Sequence, residues 1–260
     1  MTMTQGERRA WLIEALLAER GDLTNVVVPA DADEQRSLLR ALFNVRPPER
    51  VSDEFLEVQD AYLRERARER GIVRLCDLDP VCPGVYLWQG DITTLAADAI
   101  VNAANSRLLG CFVPGHHCID NAIHSFAGVQ LRLACAKIMR DQGHDEPTGS
   151  AKLTSGFNLP ARHVIHTVGP IVYGARPTAR DELALRSCYR SCLEAADEAR
   201  CSSVALCCVS TGVFRYPNEE AAQVAVEAVR DYRDSTKSHL QVVFNVFLDK
   251  DEAIYRSLLA

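Results

Sequence analysis

The chain has 260 residues, 47% of them hydrophobic, which is enough for one large domain or a medium-sized domain with an extension. Its 29 Lys and Arg against 35 Asp and Glu give a formal net charge of -6, so no global basic field is available to hold a nucleic-acid backbone. The apolar run Ala10 to Ile13 is broken by Glu14, and no run approaches the roughly 18 apolar residues of a membrane span; a cytoplasmic protein with neither signal peptide nor membrane contact is expected.

In chain order, residues 7–20, 33–44 and 52–70 carry apolar side chains at helical spacing among many charges. Breakers at Pro29 and at Pro47-Pro48 separate them. We expect residues 1–72 to form a small helical N-terminal extension that packs on the rest or helps to dock a partner protein. Ile72 to Pro83 lacks periodicity and reads as a linker. From residue 73 to 260 we expect the main domain. Short apolar runs, VYLW, AIVNAA, HVIHTV, SVALCCV and VVFNVFL, alternate there with helical segments near 119–142, 180–200 and 218–235. Strands alternating with helices predict an α/β fold with a mostly parallel sheet covered on both faces, and a site beyond the carboxyl ends of its strands.

Ten cysteines spread along a chain with no export signal point to reduced thiols. Cys207 and Cys208 in VALCCVS read as buried strand residues, and Cys135, Cys188, Cys192 and Cys201 as core residues without a histidine partner. The stretch GCFVPGHHC differs from these. Cys111, His116 and Cys118, spaced C-x4-H-x-C, are either a zinc site supplied by one loop or unrelated loop residues. Three ligands would leave a coordination position open, as catalytic zinc requires, whereas His117 as a fourth would close the site. Adjacent extended residues point to opposite sides, which argues against His117.

Three further motifs lie at strand ends: GDIT (Gly90 to Thr93), NAAN (Asn102 to Asn105) and STGVFRYP (Ser210 to Pro217). Singly, each is also an ordinary turn or cap, although the last has the glycine, hydroxyls and helix start of a phosphate cradle. Together and in this order, with PTGSAKLTSGFNLPARHVIHTVGP between the second and third, they resemble the macrodomain family, a three-layer α/β/α fold that binds ADP-ribose. The likeness covers about residues 85–260.

That resemblance implies that Asp91 bonds the adenine amino group and that Ile92 adds a backbone contact. Ser210, Thr211, Gly212, Val213 and Phe214 would wrap the diphosphate, and Phe247 would stack on adenine. Asn105 would face the distal ribose, with Cys118, Ile119 and Asp120 beside it. Arg215 stands where many members have glycine. GCFVPGHHCIDNAIH is similar to the zinc-containing macrodomains, which makes Cys111, His116 and Cys118 the implied ligands and His117 a variable position.

Asp120 is either a helix cap or the group that deprotonates an attacking water, while His124 and His166 read as packed residues. The expected activity is zinc-dependent removal of mono-ADP-ribose from protein side chains by Asn105 and Asp120, a glycosidase-type hydrolysis. The alternatives are a non-catalytic ADP-ribose reader and a deacylase of O-acyl-ADP-ribose. The expected partner is a mono-ADP-ribosylated protein, not nucleic acid.

Overall fold

The computed structural model describes residues 3–21 and 26–260; residues 1–2 and 22–25 of the expected extension lie outside the described residues. The extension contains α1 (Gln5–Ala18), α2 (Ala32–Val45) and α3 (Asp53–Glu69). Each starts on a polar cap that satisfies otherwise orphaned amides. Thr4 and Glu7 cap each other reciprocally, Asp31 accepts from the amides of Asp33 and Glu34, and Ser52 accepts from that of Phe55. Leu12, Ile13, Leu16, Leu39, Phe43, Phe55 and Leu63 pack into a small core that also takes in Val129.

Ile72 to Pro83, expected as a linker, carries two strands: β1 (Val73–Arg74) and β2 (Pro80–Cys82). They were not legible because two or three residues are too short to show an alternation. β3 (Val85–Gln89), β4 (Leu95–Ala96), β5 (Ala99–Ala103), β6 (Ala151–Ser155), β7 (His163–Thr167), β8 (Ser203–Leu206) and β9 (Gln241–Val246) follow. Seven strands form one sheet in the order β2-β3-β9-β8-β5-β7-β6, parallel at its centre and antiparallel at both edges. β1 and β4 pair separately, in parallel.

The segment 119–142 is two helices, α4 (Ile119–Ala127) and α5 (Val129–Gln142). They break at Gly128, whose φ of 94° suits glycine and where a Cβ would lie 2.7 Å from Gln59 Nε2. α6 (Ala179–Glu198), α7 (Asn218–Thr236) and α8 (Asp249–Leu259) complete the fold. α4 and α5 pack together against the sheet, as do α6, α7 and α8, giving the α/β/α layering with flanking helices.

The central strands are apolar on both faces, with Ile100, Val101, Val164, Ile165, Val204 and Val242 fully buried. All ten cysteines are free thiols. Cys208 is only half-buried, because β8 ends at Leu206 and the chain is already turning. Cys135 does have a histidine neighbour, contrary to the sequence expectation: its Sγ lies 3.7 Å from Nε2 of His166, a contact made between elements far apart in the chain.

Candidate functional site

The site is assembled where the parallel strands end. β3 runs into Asp91, β9 into Phe247, β8 into the loop at Ser210, and β5 into Asn105. Since β3 and β9 pair in register, Gln89 opposite Val246, and the amide of Gly90 donates to the carbonyl of Val246 at 2.9 Å, Asp91 and Phe247 leave adjacent strands side by side. Phe247 is 71% exposed, an aromatic face without a protein cover, while Ile92 is buried.

Asp91 caps a 3-10 turn, its Oδ1 accepting from the amide of Thr93 at 2.9 Å and from Thr93 Oγ1 at 2.6 Å. Its Oδ2 accepts from Arg70, the residue that ends α3.

The loop after β8 is shaped by two left-handed residues, Ser210 (φ 68°) and Arg215 (φ 60°). Arg215 thus holds the conformation that a glycine would favour, at the strain cost of a non-glycine residue, and the loop closes with the Tyr216 amide donating to the Ser210 carbonyl at 3.0 Å. The amides of Gly212, Val213 and Phe214 donate to no acceptor among the described residues. Val213 is 71% exposed. Free amides in a tight loop ahead of α7 suit an anion.

The third corner is the loop Gly110 to Cys118. Gly110, with φ 79°, lies so close to the His124 ring that a Cβ there would come within 2.7 Å of it. The Cys111 Sγ lies 3.6 Å from Nδ1 of His116, and the ligand atoms of Cys111, His116 and Cys118 all lie within 4.8 Å of one another. His117 is exposed and outside this group. Cys118 also begins α4, its Sγ accepting from the Asn121 amide at 3.4 Å. Burial first, then the neighbouring Cys111 and Asp120, push its thiol up to about 12, so Cys118 becomes a thiolate ligand here only with a cation beside it. Two sulfurs and one imidazole fit zinc.

Asp120 is not the cap of α4, since Cys118 is. Asp120 turns inward, is 5% exposed, and accepts from Asn102 at 2.8 Å and Asn105 at 3.2 Å. Burial raises its carboxyl to about 6 against the lowering effect of those two amides and of Arg132. Asn105 Nδ2 also donates to the carbonyl of Gly110 at 3.1 Å, tying the ends of NAAN and the cysteine loop together. Ile119 is half-buried beside them.

Asn102, within the strand run AIVNAA, is fully buried inside β5 and bridges Asp120 to His166 Nδ1, 3.1 Å away. The available signal was an amide in the middle of the apolar run AIVNAA, since a buried amide must find partners. His166 and His124 are buried, as expected of packed residues. Burial lowers His166 to about 4 and His124 well below its ordinary value.

The extension also reaches the site, which no sequence motif announced. From α2, Arg40 donates to the carbonyl of His116 at 3.1 Å and to Asn121 Oδ1 at 3.0 Å, and Asn44 Oδ1 accepts from the Gly115 amide at 2.9 Å. Arg132 of α5 stacks 4.2 Å from the Phe112 ring centre and donates to the carbonyls of Leu109 (2.7 Å) and Phe43 (3.0 Å). Arginines with more than one donor direction at a single junction fix loop position better than a point charge can.

A layered α/β domain whose polar groups gather beyond the carboxyl ends of its central strands is a ligand-binding domain of the open-sheet class. Residues 101–225 match the Macro domain family. The chain is 55% identical to a protein of Treponema medium named protein-ADP-ribose hydrolase, across 99% of this chain and 100% of that one. It is 50% identical to a protein of the same name from Staphylococcus aureus (strain MSSA476), across 96% and 94% of the two chains. The structure of a Trypanosoma brucei macrodomain in complex with ADP-ribose superposes with a TM-score of 0.66 at 31% identity, covering 85% of this chain and 95% of that one. The chain belongs to the macrodomain family.

Proposed function

We propose that this protein is a hydrolase that removes single ADP-ribose groups from modified protein side chains, and that zinc serves the reaction. The observation that carries the proposal is the buried carboxylate of Asp120, held by Asn102 and Asn105 at the edge of the Cys111–His116–Cys118 group. The name shared by the Treponema and Staphylococcus relatives supports the same activity.

In this reading the nucleotide lies across the strand ends. Asp91 accepts the adenine amino group beside the Ile92 backbone, and Phe247 offers its exposed ring to the base. The loop Ser210 to Phe214 turns the free amides of Gly212, Val213 and Phe214 to the diphosphate. Asn105 fixes the distal ribose, with Cys118 and Ile119 beside it. This anchoring matters because a held geometry removes much of the entropic part of the barrier.

Cys111, His116 and Cys118 would hold zinc, which would supply Lewis-acid chemistry at the ribose end of the site. Asp120 takes the proton of the water that attacks the anomeric carbon. The C–O bond to water forms, the bond to the protein side chain breaks, and the same proton can pass to the departing side chain. Free ADP-ribose and the restored residue are the products.

The test is incubation of the purified protein with a mono-ADP-ribosylated protein while released ADP-ribose is measured. Release is expected, and Asp120→Ala and Asn105→Ala should each slow it about 10²-fold or more. A reader module would release none at any protein concentration.

A further inference from the structure

The adenine end of the groove contains a residue from outside the strands. Arg70 caps the C-terminal end of α3 just after Glu69 and is followed by Gly71 in a left-handed turn (φ 85°). The chain then enters β1, whose pairing of Val73 with Leu95 and Arg74 with Ala96 pins it beside the turn Ile92–Thr94. The Arg70 guanidinium is held on three sides. It donates to Asp91 Oδ2, donates to Thr93 Oγ1 at 2.8 Å, and lies 3.8 Å from the ring centre of Phe126 in α4. Its side chain is only 17% exposed.

These contacts account for most of the acceptor capacity of Asp91. Oδ1 takes two bonds from Thr93 and Oδ2 takes one from Arg70. A carboxylate has about four acceptor directions, so the direction left is on Oδ2, on an aspartate that is 38% exposed. We propose that Arg70 is a positioning residue that fixes the Asp91 carboxylate with one acceptor direction open, and so lets the groove select a 6-amino purine over a 6-oxo purine. A base bearing an amino group donates into that direction. A base with a carbonyl at the same position sets acceptor against acceptor, and no rotation of the carboxylate relieves it while Arg70 and Thr93 hold both oxygens. The inference rests on the reading that Asp91 meets the adenine amino group, and it makes the helical extension part of the nucleotide site.

The experiment measures the affinities of full-length protein for ADP-ribose and for inosine diphosphate ribose by calorimetry. Arg70→Met keeps the stem over Phe126 but removes the donors; Arg70→Lys restores one donor without the fork. With Arg70→Met, ADP-ribose affinity should fall about ten-fold or more, as for loss of an aligned charged partner, while inosine diphosphate ribose affinity stays within about two-fold by the same scale.

Arg70→Lys should recover part of the preference. The double variant Arg70→Met, Asp91→Ala should bind ADP-ribose no more weakly than Asp91→Ala alone, because one residue acts through the other. Equal weakening toward both nucleotides, or additive losses in the double variant, would overturn the inference. If Asp91→Ala leaves ADP-ribose affinity unchanged, the Asp91 assignment itself fails and takes this inference with it. If Asp91→Ala weakens binding and Arg70→Met does not, only the role of Arg70 fails.

Discussion

Asp120 and His166 sit on either side of Asn102, and the three form a chain of buried polar groups inside an otherwise apolar layer. His166 faces Asn102, Cys135 and Thr154, with Thr154 Oγ1 3.0 Å from its Nε2, and none of these neighbours carries a charge that would stabilise an imidazolium. Burial therefore holds His166 at about 4, below the ordinary 6.5 that applies once the chain unfolds. Between these values the unfolded chain binds the proton and the native one does not. The stability due to neutral His166 is fully present above about pH 6.5 and declines as pH falls toward about 4, by an amount on the order of 1–3 kcal/mol. The buried Asp120 carboxyl, raised to about 6, shifts stability in the opposite sense over this range, so the His166 loss is read from urea midpoints at pH 7 and pH 5 against a variant. A His166→Asn variant, which cannot take up the proton, should show a smaller one; an equal slope in both proteins would remove His166 from the account.

At the scale of elements, α2 holds the loop that carries the cysteines. Arg40 and Asn44 bond the backbone at His116 and Gly115, next to proposed ligands rather than at ligand atoms. Partners of this kind typically account for 10- to 100-fold in metal affinity. Arg40→Leu should therefore lower zinc affinity about ten-fold in a chelator competition, and undiminished retention would show that the loop holds its shape unaided. Much of the fold could be read in the sequence, because runs such as AIVNAA, HVIHTV and VVFNVFL are apolar on both faces and their helices are long. β6 was missed because AKLTS, at a sheet edge, mixes buried and exposed positions without a clear alternation. α8, 11 residues following directly on a strand, was missed because it offers so few turns. GDIT, NAAN and STGVF were visible because loops at strand ends depend on particular residue types. Arg70 and Arg40 were not visible, since each gains its meaning only from a partner distant in sequence, and for the same reason the bonds of Asn102 to Asp120 and His166 were not.

Across the whole molecule, the extension and the sheet share groups rather than merely touching. Val129 belongs to the core of α1–α3, Gln59 Oε1 accepts from the Val129 amide at 2.9 Å, and Asn158 donates to Asp60 at 2.8 Å. Separation would leave these buried groups without partners, so the two parts should unfold in one transition. The chain has two tryptophans, Trp11 in α1 and Trp88 in β3. The variants Trp11→Phe and Trp88→Phe, each with one reporter left, should give the same urea midpoint by fluorescence once corrected for their own stability; two separated transitions would mean independent units. In the proposed reading, ADP-ribose is bound at one end of the strand edge and freed from its protein at the other, by groups that the fold and its extension bring together. The most direct measurement pairs ADP-ribose release from a mono-ADP-ribosylated protein with ADP-ribose affinity, before and after chelation, with metal loss confirmed by elemental analysis. Release should be abolished while most of the affinity remains, because the base and diphosphate contacts lie away from Cys111, His116 and Cys118. An undiminished rate from metal-free protein would contradict the account.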